Sequence, residues 1–371
     1  GTGEEKKEKD GTYWKNPRGI FGQNYVSSLK QLFIITDQDE NSGCFVRTKF
    51  EVDEKISGYQ LALAFEENIG SDIAKLFVDV MIKGIVSQAD LETLSEPFNM
   101  LQIPLNTNEH QLIWNLITGN DEPKQEKITL FRKRTIQLLL KKVTQSDETF
   151  FDYRLTFDAY HQKGKIEENY DETLSLWYFY QLEQFWHMAC TGSLSSFLKL
   201  LDKESNGNWI DEEELIDSIA NQVEEYFIEE NYIDESQPLK ELKIIDFLEE
   251  DIVEDSKKSN DNIEKIALNI LLIKKLIHNN EDEIYRLLQI TNSHGLNSSS
   301  SFVSSISSLK NSEELSIKYF VRYFLKKYVV VRHQWVSLKK MNDTQTTEKF
   351  VREDGLIRFI DDVDYAYYSP R

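Results

Sequence analysis

The 371-residue sequence has no apolar run near the roughly 20 residues that a membrane-spanning helix needs. Its first ten residues, GTGEEKKEKD, are charged where a secretory leader would be apolar. Only two cysteines are present, Cys44 and Cys190, far apart in sequence, so there is no disulfide framework. A reducing cytoplasm is the expected compartment. The Walker-type phosphate loop, the dinucleotide fingerprint and the HExxH zinc helix are missing. So are GxSxG and the kinase motif set. Six histidines are scattered. His333 follows Arg332 where a helix is expected to end, and its spacing from the arginines marks no ribonuclease site. These absences remove the common motif-bearing enzyme classes and imply no cofactor. Catalysis from a site without a motif stays open. The chain opens without methionine and ends at Ser369-Pro370-Arg371, which suggests a piece of a longer protein.

What is abundant is acid. The net charge of −21 is unevenly spread. Residues 211–262 hold 19 Asp and Glu against 4 Lys and Arg. Residues 318–371 reverse the balance, with 11 basic residues against 7 acidic ones, and residues 1–50 are nearly even at 8 against 7. The acidic middle would repel a nucleic-acid backbone; the two ends would not.

Aromatic side chains are concentrated in Thr173–Leu201, TLSLWYFYQLEQFWHMACTGSLSSFLKLL. Leu174, Trp177, Tyr178, Leu182, Phe185, Trp186 and Ala189 fall on one helical face. Large rings bury much apolar surface, so this helix is expected to be the hub of the main core. Residues 263–277 are apolar on most sides and should also be buried.

The composition predicts a mainly α fold, a partial winged-helix module followed by a multi-helix body. Residues 1–12 read as disordered, 13–70 as the winged-helix-like module and 71–310 as the α-helical body. Residues 311–371 read as a basic C-terminal helix with a β-prone tail. In the module, a helix with Phe21, Tyr25, Leu29, Leu32 and Phe33 on one face precedes a short strand. A polar turn, the β-prone run 44–52 and a helix from Ser57 to Glu67 follow. A DNA-binding use of this module would rest on Lys15, Arg18 and Lys30 on the helix and on Arg47 and Lys49 on the wing. The plainer alternative is a degenerate module used for protein contact. In the body, 73–85 and 109–117 are clear helices. Residues 130–143, LFRKRTIQLLLKKV, form an amphipathic helix, read as a core helix with a basic solvated face. Ser312 to Arg332 reads as one long helix with Leu315, Tyr319, Phe320, Tyr323, Phe324 and Tyr328 as its apolar face. Lys318, Arg322 and Lys326 form an i, i+4 basic stripe on it. That stripe is a partner-binding candidate, facing either the acidic 211–262 segment or another protein.

Two patterns invite a metal reading. His187 and Cys190 lie i, i+3, but no second ligand pair accompanies them, and a structural zinc site takes four ligands. Residues 202–213, DKESNGNWIDEE, match a calcium loop at Asp202, Glu204, Asn206, Gly207 and Glu213. Ile210 offers no side-chain oxygen at position 9, and no partner loop exists. The better reading is a polar turn with Asp211 as N-cap of the next helix and Glu214 three residues on. No metal site is expected.

Tyr13–Ile35, YWKNPRGIFGQNYVSSLKQLFII, and Arg332–Asp361, RHQWVSLKKMNDTQTTEKFVREDGLIRFID, resemble a group of uncharacterised bacterial proteins. These are often encoded in antiphage-defence or mobile islands, and they combine winged-helix-like units with an α-helical body. The resemblance implies a non-enzymatic subunit of a defence assembly, with other protein subunits and duplex DNA as partners and no membrane. It transfers no catalytic residue. A winged-helix DNA-binding regulator and a nuclease with an unrecognised site are the alternatives.

Overall fold

Two units make up the chain, residues Gly1–Glu148 and Thr149–Arg371. The computed structural model describes residues 25–38, 45–49, 56–99, 103–119, 127–145, 160, 171–234, 237–243, 249–280, 283–293, 295, 301–340 and 348–360. The proposed disordered lead, Lys15, Arg18 and Cys44 lie outside these residues. The protein is mainly α-helical with small antiparallel sheets. No helix among the described residues is long and apolar enough to cross a membrane.

In the first unit, α1 (Val26–Gln31) leads into β1 (Ile35–Gln38), which pairs antiparallel with β2 (Phe45–Arg47), and α2 (Gly58–Ile69) follows. Thr48 ties these pieces together. Its hydroxyl donates to the Phe33 carbonyl at 2.6 Å and accepts from the Gly58 N–H at 2.7 Å. Its own N–H donates to the Ile34 carbonyl, and its carbonyl accepts from the Tyr59 N–H. A Cβ on Gly58 would lie 2.1 Å from the Ile34 carbonyl oxygen, so only glycine allows this approach. Ser57 caps α2 in a reciprocal box with Gln60, which fixes the start predicted at Ser57. Then come α3 (Ser71–Lys83), α4 (Gln88–Ser95), α5 (Asn108–Thr118) and α6 (Lys127–Gln145). Gly84 ends α3 in the left-handed conformation. α5 packs on α2 and α6, and Asn68 donates to the buried Glu109 carboxylate at 2.7 Å. The core here is thin. Among the described residues only Ile35, Ala64, Leu94 and Leu138 are buried apolar side chains.

The second unit is built on α7 (Asp171–Ser205), the predicted hub. Leu174, Tyr178, Leu182, Phe185, Trp186 and Ala189 are buried as the periodicity predicts, whereas Trp177 is half-buried. The turn Asn206–Gly207 has both residues at positive φ, 44° and 81°. It leads through β3 (Ile210–Asp211) to α8 (Glu212–Glu229). After a 3₁₀ turn, Leu239–Glu241, come α9 (Glu249–Lys258), α10 (Asn262–Asn280), α11 (Ile284–Ser293) and α12 (Phe302–Ser312). α10 is the second core helix. It lies along α7, with α8 and α9 against it. The two helices approach closely at Gly192, where a Cβ would come 2.9 Å from the Asn269 side chain.

The last helix differs from its prediction. It starts at Ile317, capped by Ser316, and runs on past His333 to Lys340. It has three parts: α13 (Ile317–Phe324), a π-helical segment (Leu325–Val331) and α14 (Arg332–Lys340). Leu315 therefore sits in the turn before the helix and is exposed. The buried face is Ile317, Phe320, Val321, Phe324, Leu325, Tyr328 and Val329, and Tyr319 falls outside it. Trp186 is enclosed by this helix and α12: its ring lies 5.9 Å from Phe302, 6.2 Å from Phe324 and 5.0 Å from Tyr328.

The β-prone tail forms the hairpin β4 (Phe350–Glu353) and β5 (Leu356–Phe359). Its turn is Asp354-Gly355, both at positive φ, as a two-residue turn of this type requires. β5 also pairs with β3, giving the strand order β3-β5-β4.

Trp186→Ala should destabilise the second unit by ~3–5 kcal/mol, because three neighbouring rings cannot collapse into the void. Denaturant unfolding checks this; a loss within about 1 kcal/mol, the level of an ordinary surface change, would contradict the hub assignment.

Candidate functional site

Sequence reasoning pointed to two basic surfaces. The structure shows what holds the second of them. Asp211 caps α8, accepting from the Glu214 N–H at 2.9 Å. Glu212, Glu213 and Glu214 occupy the first turn, where the helix dipole favours negative charge. This acidic turn meets the basic stripe of α13. Arg322 donates to Glu213 at 3.0 Å and pairs with Asp217. Lys326, one helical turn on, pairs with the same Glu213. Lys318 is half-buried and makes no ion pair among the described residues. Two of the three cations are thus neutralised within the chain, by the acidic segment that charge counting had offered as their mate. Beside them the buried Glu212 binds Arg352 of β4 through both carboxylate oxygens, Arg352 Nη2 donating at 2.8 Å. Arg352 also donates to Gln334 of α14 at 2.9 Å.

The same contacts engage residues of the calcium-loop pattern. Asn206 and Gly207 turn the backbone as such a loop would, but Glu213 points to Arg322 and Lys326, and Asp211 is engaged as a cap. No group of three or more His, Cys, Asp or Glu side chains is gathered for a metal among the described residues.

In the first unit, Lys30 lies over the Phe45 ring at 5.4 Å and Arg47 over the Tyr59 ring at 5.8 Å. Each cation is held on an aromatic face. Lys49 is exposed just after β2. Lys15 and Arg18 lie outside the described residues, so three of the five proposed DNA contacts are placed.

A third surface was not anticipated. On α3, Phe77, Val78, Met81 and Ile82 are exposed at i, i+1, i+4 and i+5, and Ile85 continues the stripe just past the helix end. Ile82 and Ile85 are each 78% exposed, and no residue of α3 is buried. The signal was available in the sequence: α3 has apolar residues on nearly every side, and a helix of that kind is ordinarily covered. Elsewhere in the unit a shallow depression of about 330 Å³ is lined by Ile117, Phe131, Arg132, Thr135 and Ile136.

The hub helix carries a small titratable cluster of its own. Cys190 is fully enclosed; burial pushes its thiol up to about 12 despite the nearby Arg332 guanidinium, so it stays a neutral thiol and a poor metal ligand. Glu183 is the more consequential group. Burial pushes its carboxyl up to about 7, against the hydrogen bonds it accepts from the Val303 and Phe302 N–H groups of α12 and the charge of Arg332.

Glu183 makes stability depend on pH in a defined direction. Its folded-state value lies above the ordinary carboxyl value of 4.5, so the folded chain holds the proton more tightly than the unfolded chain. That contribution is complete below about pH 4.5 and is lost as pH rises to about 7, up to about 3 kcal/mol in all. Glu183→Gln should therefore gain stability relative to the parent between pH 5 and pH 8 in parallel urea titrations. An unchanging difference across that range would refute the assignment. For the 202–213 loop, calorimetric titration should show no micromolar calcium binding. Heat of binding that Asp202→Ala abolishes would overturn that reading.

No family model, curated protein or solved structure matches this chain.

Proposed function

We propose that this chain is a non-enzymatic subunit of a bacterial antiphage-defence assembly, holding a partner protein on the apolar face of its first unit. The observation that carries the reading is the α3 stripe of Val78, Met81, Ile82 and Ile85, which stands in solvent beside the Phe77 ring packed on Phe98. Exposed apolar patches of this kind mark protein-contact surfaces. The partner is a subunit presenting an apolar helix face of its own. The defence context rests on the resemblance of residues 13–35 and 332–361.

A second reading treats the first unit as a partial winged-helix module that binds duplex DNA. The exposure of Arg47 and Lys49 on and beside the hairpin favours it. So does the neutralisation of Arg322 and Lys326, which leaves the competing stripe with little attraction for phosphate. So few cations would release few counterions, which predicts weak binding with moderate salt dependence.

The chain should co-elute in size-exclusion chromatography with the product of a neighbouring gene when the two are co-expressed. Val78→Asp with Ile82→Asp should abolish co-elution without lowering the melting temperature, because both side chains are already exposed. Unchanged co-elution of the double variant would remove α3 from the interface. Duplex binding at two salt concentrations separates the readings. Binding lost in Arg47→Glu with Lys49→Glu, but kept when Lys318, Arg322 and Lys326 are reversed, favours the DNA-binding regulator.

A further inference from the structure

The π-helical segment brings together phenols, hydroxyls and an ammonium group that no surface described above uses. Lys327 Nζ donates to the Tyr323 hydroxyl at 2.7 Å. The same ammonium stands over two aromatic faces, 5.1 Å from the Tyr323 ring centre and 5.1 Å from that of Tyr328. The two rings meet edge to face at 5.9 Å. Ser308 and the Tyr328 hydroxyl both lie close to the Tyr323 oxygen. Behind them, Tyr328 Oη and Ser305 Oγ are fully buried and side by side, yet neither meets the geometry of a hydrogen bond. α12 supplies the serines, and the last helix supplies the tyrosines and the lysine. Tyr323 is only partly covered and Lys327 is exposed, so the cluster opens to solvent at that end. π-helical turns are rare and recur at functional sites because they move side chains out of α register.

The chemistry of the group is asymmetric. Burial pushes the Tyr323 phenol up, but the hydrogen bond and charge of Lys327 and the neighbouring Tyr328 and Ser308 hydroxyls outweigh it, and the phenol ionises below its usual value. For Tyr328 burial dominates, the neighbouring Tyr323 phenol acts in the same direction, and its phenol is held up. Tyr323 is therefore the member that gives up its proton first, while Tyr328 stays protonated beside it. A phenolate that is stabilised by an ammonium ion and open to solvent is a nucleophile.

We propose that Tyr323 is a covalent modification site, a phenol held by the Lys327 ammonium and packed against the Tyr328 ring, that accepts an acyl group from an electrophilic donor. In the step, the phenolate oxygen bonds to the acyl carbon as the bond from that carbon to the leaving group breaks. The leaving group takes a proton from water, and the phenol proton has already passed to solvent. The product is an uncharged aryl ester beside Lys327, which removes the anion that the ammonium stabilises. This site goes beyond the partner-binding reading and does not depend on it.

The probe is N-acetylimidazole, applied to the intact folded chain, with hydroxylamine-reversible acetylation of each tyrosine followed by peptide mass spectrometry. Tyr285, 81% exposed, serves as the internal standard. Tyr323 should acetylate several-fold faster than Tyr285 in spite of its lower exposure, and its rate should begin to rise at lower pH. Lys327→Met should bring its rate to that of Tyr285 or below, while Lys327→Arg, which keeps the cation, retains most of it. If Tyr323 is no faster than Tyr285 in the parent, the proposal fails. It fails equally if the two lysine variants behave alike.

Discussion

The second unit depends on the carboxylates at the start of α8. Glu212, Glu213 and Asp217 stand on a helix end whose dipole favours them, and Arg352, Arg322 and Lys326 come to them from three later segments. Exposed ion pairs contribute little one at a time. Here the bidentate Glu212–Arg352 pair is partly buried, and it shares its arginine with Gln334. The arrangement fixes where α13, the π-helical segment and the terminal hairpin lie against α8. Without those cations a buried Glu212 would have no compensating charge.

The two units solve the burial problem differently. In the second, two long helices, α7 and α10, present nearly continuous apolar surfaces, and the remaining helices cover them. In the first, order comes from polar backbone chemistry: the Thr48 hydroxyl, the close approach at Gly58 and the caps at Ser57 and Ser87. Among the described residues few apolar side chains are removed from water there, and Val78, Met81 and Ile82 of α3 are left exposed. A unit held in this way gains more from a partner than one with a filled core, since covering exposed apolar surface is itself favourable.

Much of the fold was legible from periodicity. The hub helix, the buried helix at 262–280, the start of α2 at Ser57 and the Asp211 cap all follow from spacing and capping chemistry. The limits are equally physical. The last helix starts only at Ile317, so Leu315 falls in the turn before it, and Tyr319 lies off the face that Ile317, Phe320, Val321 and Phe324 bury. Charge counting found the acidic mate of the basic stripe but not which residues meet, because Glu213 and Lys326 are 113 positions apart. The exposed side of α3 escaped because apolar residues are read as core unless something shows that no neighbour covers them. Of the tyrosine cluster only the i, i+4 spacing of Tyr323 and Lys327 was legible, because its serines come from a separate helix.

The sheet of the second unit has a consequence for how the chain becomes structured. β3 occupies residues 210–211 and pairs with β5 at 356–357, and Glu212 waits for Arg352, 140 residues later. During synthesis α7, α8 and α10 emerge long before the hairpin that completes them, so the acidic turn of α8 passes a period as an uncompensated cluster. Contacts of such sequence separation close late and slowly. β5, made long after β3, thus acts as a latch on the start of α8.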